Sequence, residues 1–179
     1  STMYVYSHQG SFYRASKQAA EQIIESYSEE FNLEYTFLRY GSLYGPRAQK
    51  WNGLRSYIRQ ILDEKKLDYW GSGKEKREYI HVLDAANLSV AILEDAYKNS
   101  AITVTGHQVM SSDELISMIF EITGIKRNIN YQSINENSGH YLITPYRYTP
   151  KAAKQIVPGE FIDLGQGILD IVEELSSDT

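Results

Sequence analysis

The chain has 179 residues, with 18 lysines and arginines against 23 aspartates and glutamates, a formal charge of −5, and no cysteine. That length suits one domain, or one large domain with a small appendage, and an apolar fraction of 42% excludes a disordered chain. The acidic balance excludes the basic footprint of a nucleic-acid or anionic-membrane binder, the lack of cysteine excludes disulfides and thiolate zinc sites, and no apolar run nears the roughly 20 residues of a membrane helix.

In chain order, Met3-Tyr4-Val5-Tyr6 reads as a short strand and Ser7 to Gly10 as a loop. From Tyr13 to about Phe31 the residues Ala15, Ala19, Ile23, Tyr27 and Phe31 recur every four positions, one stripe of an amphipathic helix ended by Asn32. Tyr35 to Tyr40 is a dense β-forming run, and Gly41 to Gly53 holds turn signals, Gly45-Pro46 among them. A second helix is expected from about Leu54 to Lys65, a strand over Leu67–Trp70, a turn at Gly71-Ser72-Gly73 and a strand over Arg77–Val82. Asp84 is a suitable N-cap for an Ala-rich helix reaching about Tyr97, and Ala101–Thr105 reads as a strand. Ser111 with Glu114 forms a capping-box pattern before a helix that stops at Gly124. Arg127–Tyr131 is a strand candidate, Ser133 to Tyr148 is irregular, and a last helix runs from about Leu164 to Leu175.

Strands alternating with helices predict an α/β fold with parallel pairing at least in the first half, then a smaller α+β lobe after about Lys50. The chain lacks an initiator Met and opens on strand-like residues, which predicts the later part of a longer chain. It has no leader pattern, so a soluble, cytoplasmic protein is expected.

Among residues able to carry chemistry, Tyr13 and Lys17 stand four apart, one turn along a helix face. A nearby ammonium favours tyrosinate, which suits a phenol to general acid/base work. Alone the pair is weak, since chance supplies about one such match in a chain with 15 tyrosines. His81, in a buried strand, reads as a satisfied core histidine and Asp84 as the cap. His8, His107 and His140 have no partners at metal-ligand spacing, so no metal site is expected.

Context sharpens the pair. Tyr13-Arg14-Ala15-Ser16-Lys17, after a strand end bearing Thr2, resembles the Tyr-x-x-x-Lys of short-chain dehydrogenases/reductases. Arg39-Tyr40-Gly41-Ser42-Leu43-Tyr44-Gly45-Pro46 is similar to the Arg-Tyr-Phe-Asn-x-Tyr-Gly-Pro segment of the extended branch, the NAD-dependent epimerase/dehydratase family. Gly71-Ser72-Gly73 with Arg77-Glu78-Tyr79-Ile80-His81-Val82-Leu83-Asp84 resembles that family's Gly-x-Gly…Arg-Asp-Tyr-Ile-His-Val-x-Asp block. The matches cover about residues 1–97.

The resemblance implies the C-terminal part of a Rossmann-like doubly wound sheet plus a smaller α+β substrate-binding lobe. Residues 1–50 would be the remnant of the NAD(P)-binding domain and 51–179 mainly the substrate lobe. It implies Thr2, Tyr13 and Lys17 as catalytic residues, and NAD or NADP held by Tyr13, Lys17, Tyr40, Gly41 and Leu43. A nucleotide-sugar-like substrate would be held by Ser42, Arg77 and Arg147, and a homodimer would form through the Tyr-x-x-x-Lys helix. Ser42 stands where the family has Asn and is balanced between a diphosphate contact and a turn role; for Arg77 a phosphate contact is favoured over a surface pair with Glu75 or Glu78.

The departures matter as well. The family's dehydratases carry Asp-Glu or Glu where this chain has Met3 and Tyr4, which argues against 4,6-dehydration. The loop between Tyr6 and Tyr13 is short for the family, so one wall of the substrate pocket differs. No Gly-x-x-Gly-x-x-Gly turn for the dinucleotide occurs in the chain, so the isolated piece is expected to be inactive. The reading is a fragment of an NAD(P)-dependent nucleotide-sugar epimerase or reductase; the alternative is a non-catalytic binding or interaction module that keeps the fold.

Overall fold

The computed structural model describes residues 1–132 and 154–177. Three parallel strands form the first sheet: β1 (Thr36–Tyr40), β5 (Ser100–Val104) and β8 (Lys154–Ile156), with β5 in the centre. On one face, Ile102 and Val104 of β5 meet Ala85 and Leu88 of α3 (Val82–Ala91) and its C-cap Ile92, with Leu38 and Tyr40 of β1 beside them. On β1, Phe37 and Arg39 alternate with these residues and are buried. Arg39 forms an ion pair with Glu21 of α1 (Ser11–Phe31), the one α1 residue classed as buried.

A second sheet joins β2 (Ser42–Tyr44) in parallel to β4 (Lys76–His81), which pairs antiparallel with β6 (Val109–Ser111). A third joins β3 (Leu67–Trp70) in parallel to β7 (Ile129–Gln132). The larger core lies among α2 (Gly53–Glu64), α4 (Ser112–Thr123) and α5 (Leu164–Ser177), where Ile58, Ile61, Leu115, Ile119, Ile168 and Ile171 are fully buried. Mixed α/β architecture with parallel sheets is thus as expected. No described helix is long and apolar enough to cross a membrane.

Several local expectations change. Met3–Tyr6 is a 3-10 turn, not a strand: only Thr2 bridges β1, at Tyr40, and the chain then winds through Val5 N–H to Thr2 O and Ser7 N–H to Tyr4 O. The helix after β4 starts three residues early because the His81 ring caps it, its Nδ1 accepting from the Leu83 N–H at 3.3 Å. Asp84 therefore sits inside the first turn, and its carboxylate accepts from the Ile162 N–H at 2.9 Å. The same helix ends at Ala91, with a separate 3-10 turn over Asp95–Tyr97. The Ser111–Glu114 capping box forms as expected, and Asn32 and Gly124 end their helices in the left-handed conformation. On α1 the apolar stripe does not face the sheet. Ile23, Tyr27 and Phe31 are more than half exposed, while the sheet side takes Gln18 and Glu21.

The segment after β5 runs close against β4 at Gly106, where a methyl carbon would lie 1.9 Å from the Tyr79 carbonyl oxygen. Because the obstacle is backbone, Gly106→Ala is expected to cost about 1–3 kcal/mol or more. Urea unfolding measures it, and an unchanged midpoint would show that β4 yields there.

Candidate functional site

The loop before α1 is folded back by Arg14, whose Nη1 donates to the carbonyls of Ser7 and His8 at 3.3 and 2.5 Å. Gln18 adds a bond from Nε2 to the Val5 carbonyl at 2.8 Å. These contacts hold the first turns of α1 against the 3-10 turn, where the Tyr13 ring meets that of Tyr4. Thr2 is buried, and its Oγ1 accepts from the Tyr4 N–H at 3.4 Å. The Tyr4 and Tyr13 rings meet edge to face, with centroids 5.7 Å apart and planes at 85°. The Lys17 Nζ lies 5.8 Å from the centroid of the Tyr13 ring.

Tyr13 is 52% exposed, and among the described residues neither its hydroxyl nor the Lys17 ammonium has a hydrogen-bond partner. A phenol that can donate or accept and an ammonium with three free donors fit the hydroxyl-rich ribose of a nicotinamide nucleotide and a reacting sugar oxygen. Behind them, the carboxyl of Glu21 is pushed up by burial but held below its ordinary range by hydrogen bonds from Arg39 and Ser1. Arg39 also donates to the Tyr6 hydroxyl and lies 4.6 Å from that ring centroid.

The remaining candidates divide. The Tyr40 hydroxyl is taken by Ser89 Oγ of α3 at 2.5 Å, and the Gly41 N–H donates to the Val104 carbonyl at 3.0 Å, so both are engaged with the body of the fold. Leu43 is exposed, and its carbonyl accepts from Asn52 Nδ2 at 3.2 Å; the same amide caps α2 through the Arg55 N–H at 3.1 Å. Ser42, half-buried, pairs with Tyr79 of β4, and Arg77 lies two residues earlier on that strand. Its charge reaches Tyr57, whose phenol is raised by burial and lowered by Arg77. Arg147 and the irregular stretch 133–148 lie outside the described residues.

His81 is 2% exposed but only half satisfied: Nδ1 caps α3, while Nε2 has no partner among the described residues. Burial pushes its imidazole down despite Asp84 and Asp170. It lines a cavity of about 30 Å³ with Tyr44, Asp84 and His107, room for about one water. Among the described residues no group of three or more His, Asp or Glu could hold a metal ion. Sequence reasoning missed Tyr4, Arg14 and Asn52 as parts of this region. Asn52 alone had a signal, an amide directly before a helix.

A parallel α/β sheet, with a tyrosine and lysine one turn apart on the helix that follows a threonine-bearing bridge, makes a Rossmann-like fold. The chain belongs to the NAD dependent epimerase/dehydratase family, whose model matches residues 2–105. It is 24% identical over 120 residues to an uncharacterized UDP-glucose epimerase of Bacillus subtilis (strain 168), covering 66% of this chain and 38% of that one. With the UDP-glucuronate 4-epimerase of Thermodesulfobacterium geofontis it shares 23% identity over 124 residues, 69% of this chain and 38% of the relative. The chain thus spans well under half the length of these two relatives. In fold it is similar to a mutant UDP-glucuronic acid 4-epimerase from Bacillus cereus, solved with a fluorinated UDP-sugar and NAD. The TM-score is 0.83 at 21% identity, over 100% of this chain and 60% of that one.

Proposed function

We propose that these residues serve a cytoplasmic, NAD-dependent epimerase or reductase of nucleotide sugars, with Tyr13 as general acid/base. The observation that carries the reading is the pairing of Tyr13 and Lys17 one turn apart on α1, both without hydrogen-bond partners among the described residues, with the Tyr13 ring against Tyr4, whose N–H bonds to the buried Thr2. The relatives' names, UDP-glucose epimerase and UDP-glucuronate 4-epimerase, support the substrate class. A bound nicotinamide supplies the two-electron acceptor and donor. Lys17 holds the ribose hydroxyls beside it, Thr2 orients the reacting sugar oxygen, and Tyr13 takes or returns that oxygen's proton. Ser42 and Arg77 meet the substrate's diphosphate, and Leu43 borders the nicotinamide.

Of the two residues that replace the dehydratase carboxylates, Met3 is fully buried and only Tyr4 reaches Tyr13, so neither position supplies a carboxylate for elimination. Epimerisation or reduction is therefore favoured over dehydration. In the full-length protein, NADH fluorescence should change on binding, and UDP-hexoses should be epimerised or reduced. A protein that binds UDP-sugar without any NADH signal is the non-catalytic module instead.

The outward apolar stripe of α1, with Ile23, Tyr27 and Phe31, supports pairing of this helix with that of a second copy. Light scattering should give a dimer that Ile23→Glu with Tyr27→Glu converts to monomer. A monomeric parent would leave the stripe to another segment.

A further inference from the structure

We propose that Tyr4 is a positioning residue that aims the Tyr13 phenol, an inference that rests on the function proposed above. Tyr13 lies in the first turn of α1 with half its surface in solvent, so its own helix does little to fix the ring. Two groups flank it: the Tyr4 ring, edge to face at 5.7 Å, and the Lys17 ammonium over its face at 5.8 Å. An edge-to-face pair restrains a ring only if the second ring is itself held.

Tyr4 is held. Its N–H donates to Thr2 Oγ1 at 3.4 Å, and its carbonyl accepts from the Ser7 N–H at 2.9 Å. Behind its ring stands Gly10 at φ 97°, where a methyl carbon would lie 2.6 Å from Tyr4 Cδ1. Gly10 is the N-cap of α1, and its carbonyl accepts from the Arg14 N–H at 3.1 Å. Arg14 also clamps Ser7 and His8. The ring of Tyr4 is thus wedged between the start of α1 and Tyr13. The short loop over residues 7–10 brings Gly10 that close. One residue consequently touches both Thr2 and Tyr13, and it fixes the distance between the hydroxyl that orients the sugar oxygen and the phenol that exchanges its proton.

The test is a double-mutant cycle in the full-length protein, with nuclear magnetic resonance of ring-labelled tyrosine as a second readout. Tyr4→Ala should lower kcat about 10- to 100-fold at nearly constant KM, the scale of a misplaced reacting group. Tyr4→Phe keeps the ring and should restore turnover. On a Tyr13→Phe background Tyr4→Ala should add no further loss, because its effect passes through Tyr13. The Tyr13 ring resonances should move in Tyr4→Ala and stay in Tyr4→Phe. If the alanine variant does not fold, Tyr4→Leu replaces bulk without the aromatic edge and carries the same expectations. Unmoved Tyr13 resonances, unchanged turnover in Tyr4→Ala, or equal losses in Tyr4→Phe and Tyr4→Ala each overturn the proposal. Full turnover in Tyr13→Phe alone overturns the function while the resonances still report on the two rings.

Discussion

Tyr13→Phe in the full-length protein is expected to lose about 10²- to 10⁴-fold in kcat if Tyr13 acts as proposed, the usual contribution of a positioned general acid or base. The substitution removes one oxygen and leaves the ring, so the edge-to-face contact with Tyr4 and the Lys17 cation over the face both survive. Tyr13 is half exposed and its hydroxyl has no hydrogen-bond partner among the described residues, so unfolding should shift little. Nucleotide-sugar binding should also hold, because the proposed diphosphate contacts, Ser42 and Arg77, stand on β2 and β4, apart from α1. The signature is therefore low kcat with nearly unchanged KM and thermal midpoint. A rise in KM together with a fall in midpoint would mean that the phenol is structural.

The second large effect concerns stability. Arg39 and Glu21 form a bidentate pair, with Nε to Oε1 at 3.0 Å and Nη2 to Oε2 at 2.6 Å, and both side chains are under one-tenth exposed. Burial works against both charges. The hydrogen bonds to Glu21 and Tyr6 nevertheless raise Arg39 above its ordinary value, and those from Arg39 and Ser1 hold Glu21 below its own. Removing either partner leaves the other buried and uncompensated, a loss of about 3–5 kcal/mol. For a chain of this size that lowers the melting midpoint by about 6–20 °C. Arg39→Met and Glu21→Leu should each show it, and the double variant should recover much of the loss, since it leaves no lone charge. A double variant as unstable as the sum would assign the loss to packing.

Glu21 also sets a pH dependence. Its folded value lies below the unfolded value of about 4.3, so its contribution is fully present above that pH. It is lost as pH falls through the folded value. The stability gap between the wild type and Glu21→Gln should be constant near neutrality and narrow below about pH 4. A gap that widens in acid would contradict the assignment.

How much of this was legible in the sequence follows from length and range. α1, α2, α4 and α5 could be read because a periodic pattern over ten or more residues averages out single exceptions, and Ser111 with Glu114 or Gly124 mark ends by local chemistry. β6 and β8 have three residues each, too few to show alternation, and they exist only because β4 and β5 offer an edge. The start of α3 was misread for a similar reason: Asp84 looks like a cap locally, but its carboxylate serves Ile162, 78 residues away, and His81 caps instead. At the site, the Tyr13–Lys17 spacing was visible because a helix makes it local. The wedge of Tyr4 between Gly10 and Tyr13 was not, since it depends on a loop closed by Arg14. The apolar stripe of α1 was read correctly as a stripe, yet periodicity carries no information on which face a sheet will take.

The most direct measurement is a crystal structure of the full-length protein with a nicotinamide dinucleotide and a UDP-sugar. The account predicts Lys17 Nζ on the ribose hydroxyls beside the nicotinamide, with Thr2 Oγ1 and Tyr13 Oη converging on one sugar oxygen. A nicotinamide lodged elsewhere, with Lys17 and Tyr13 still facing solvent, would contradict it.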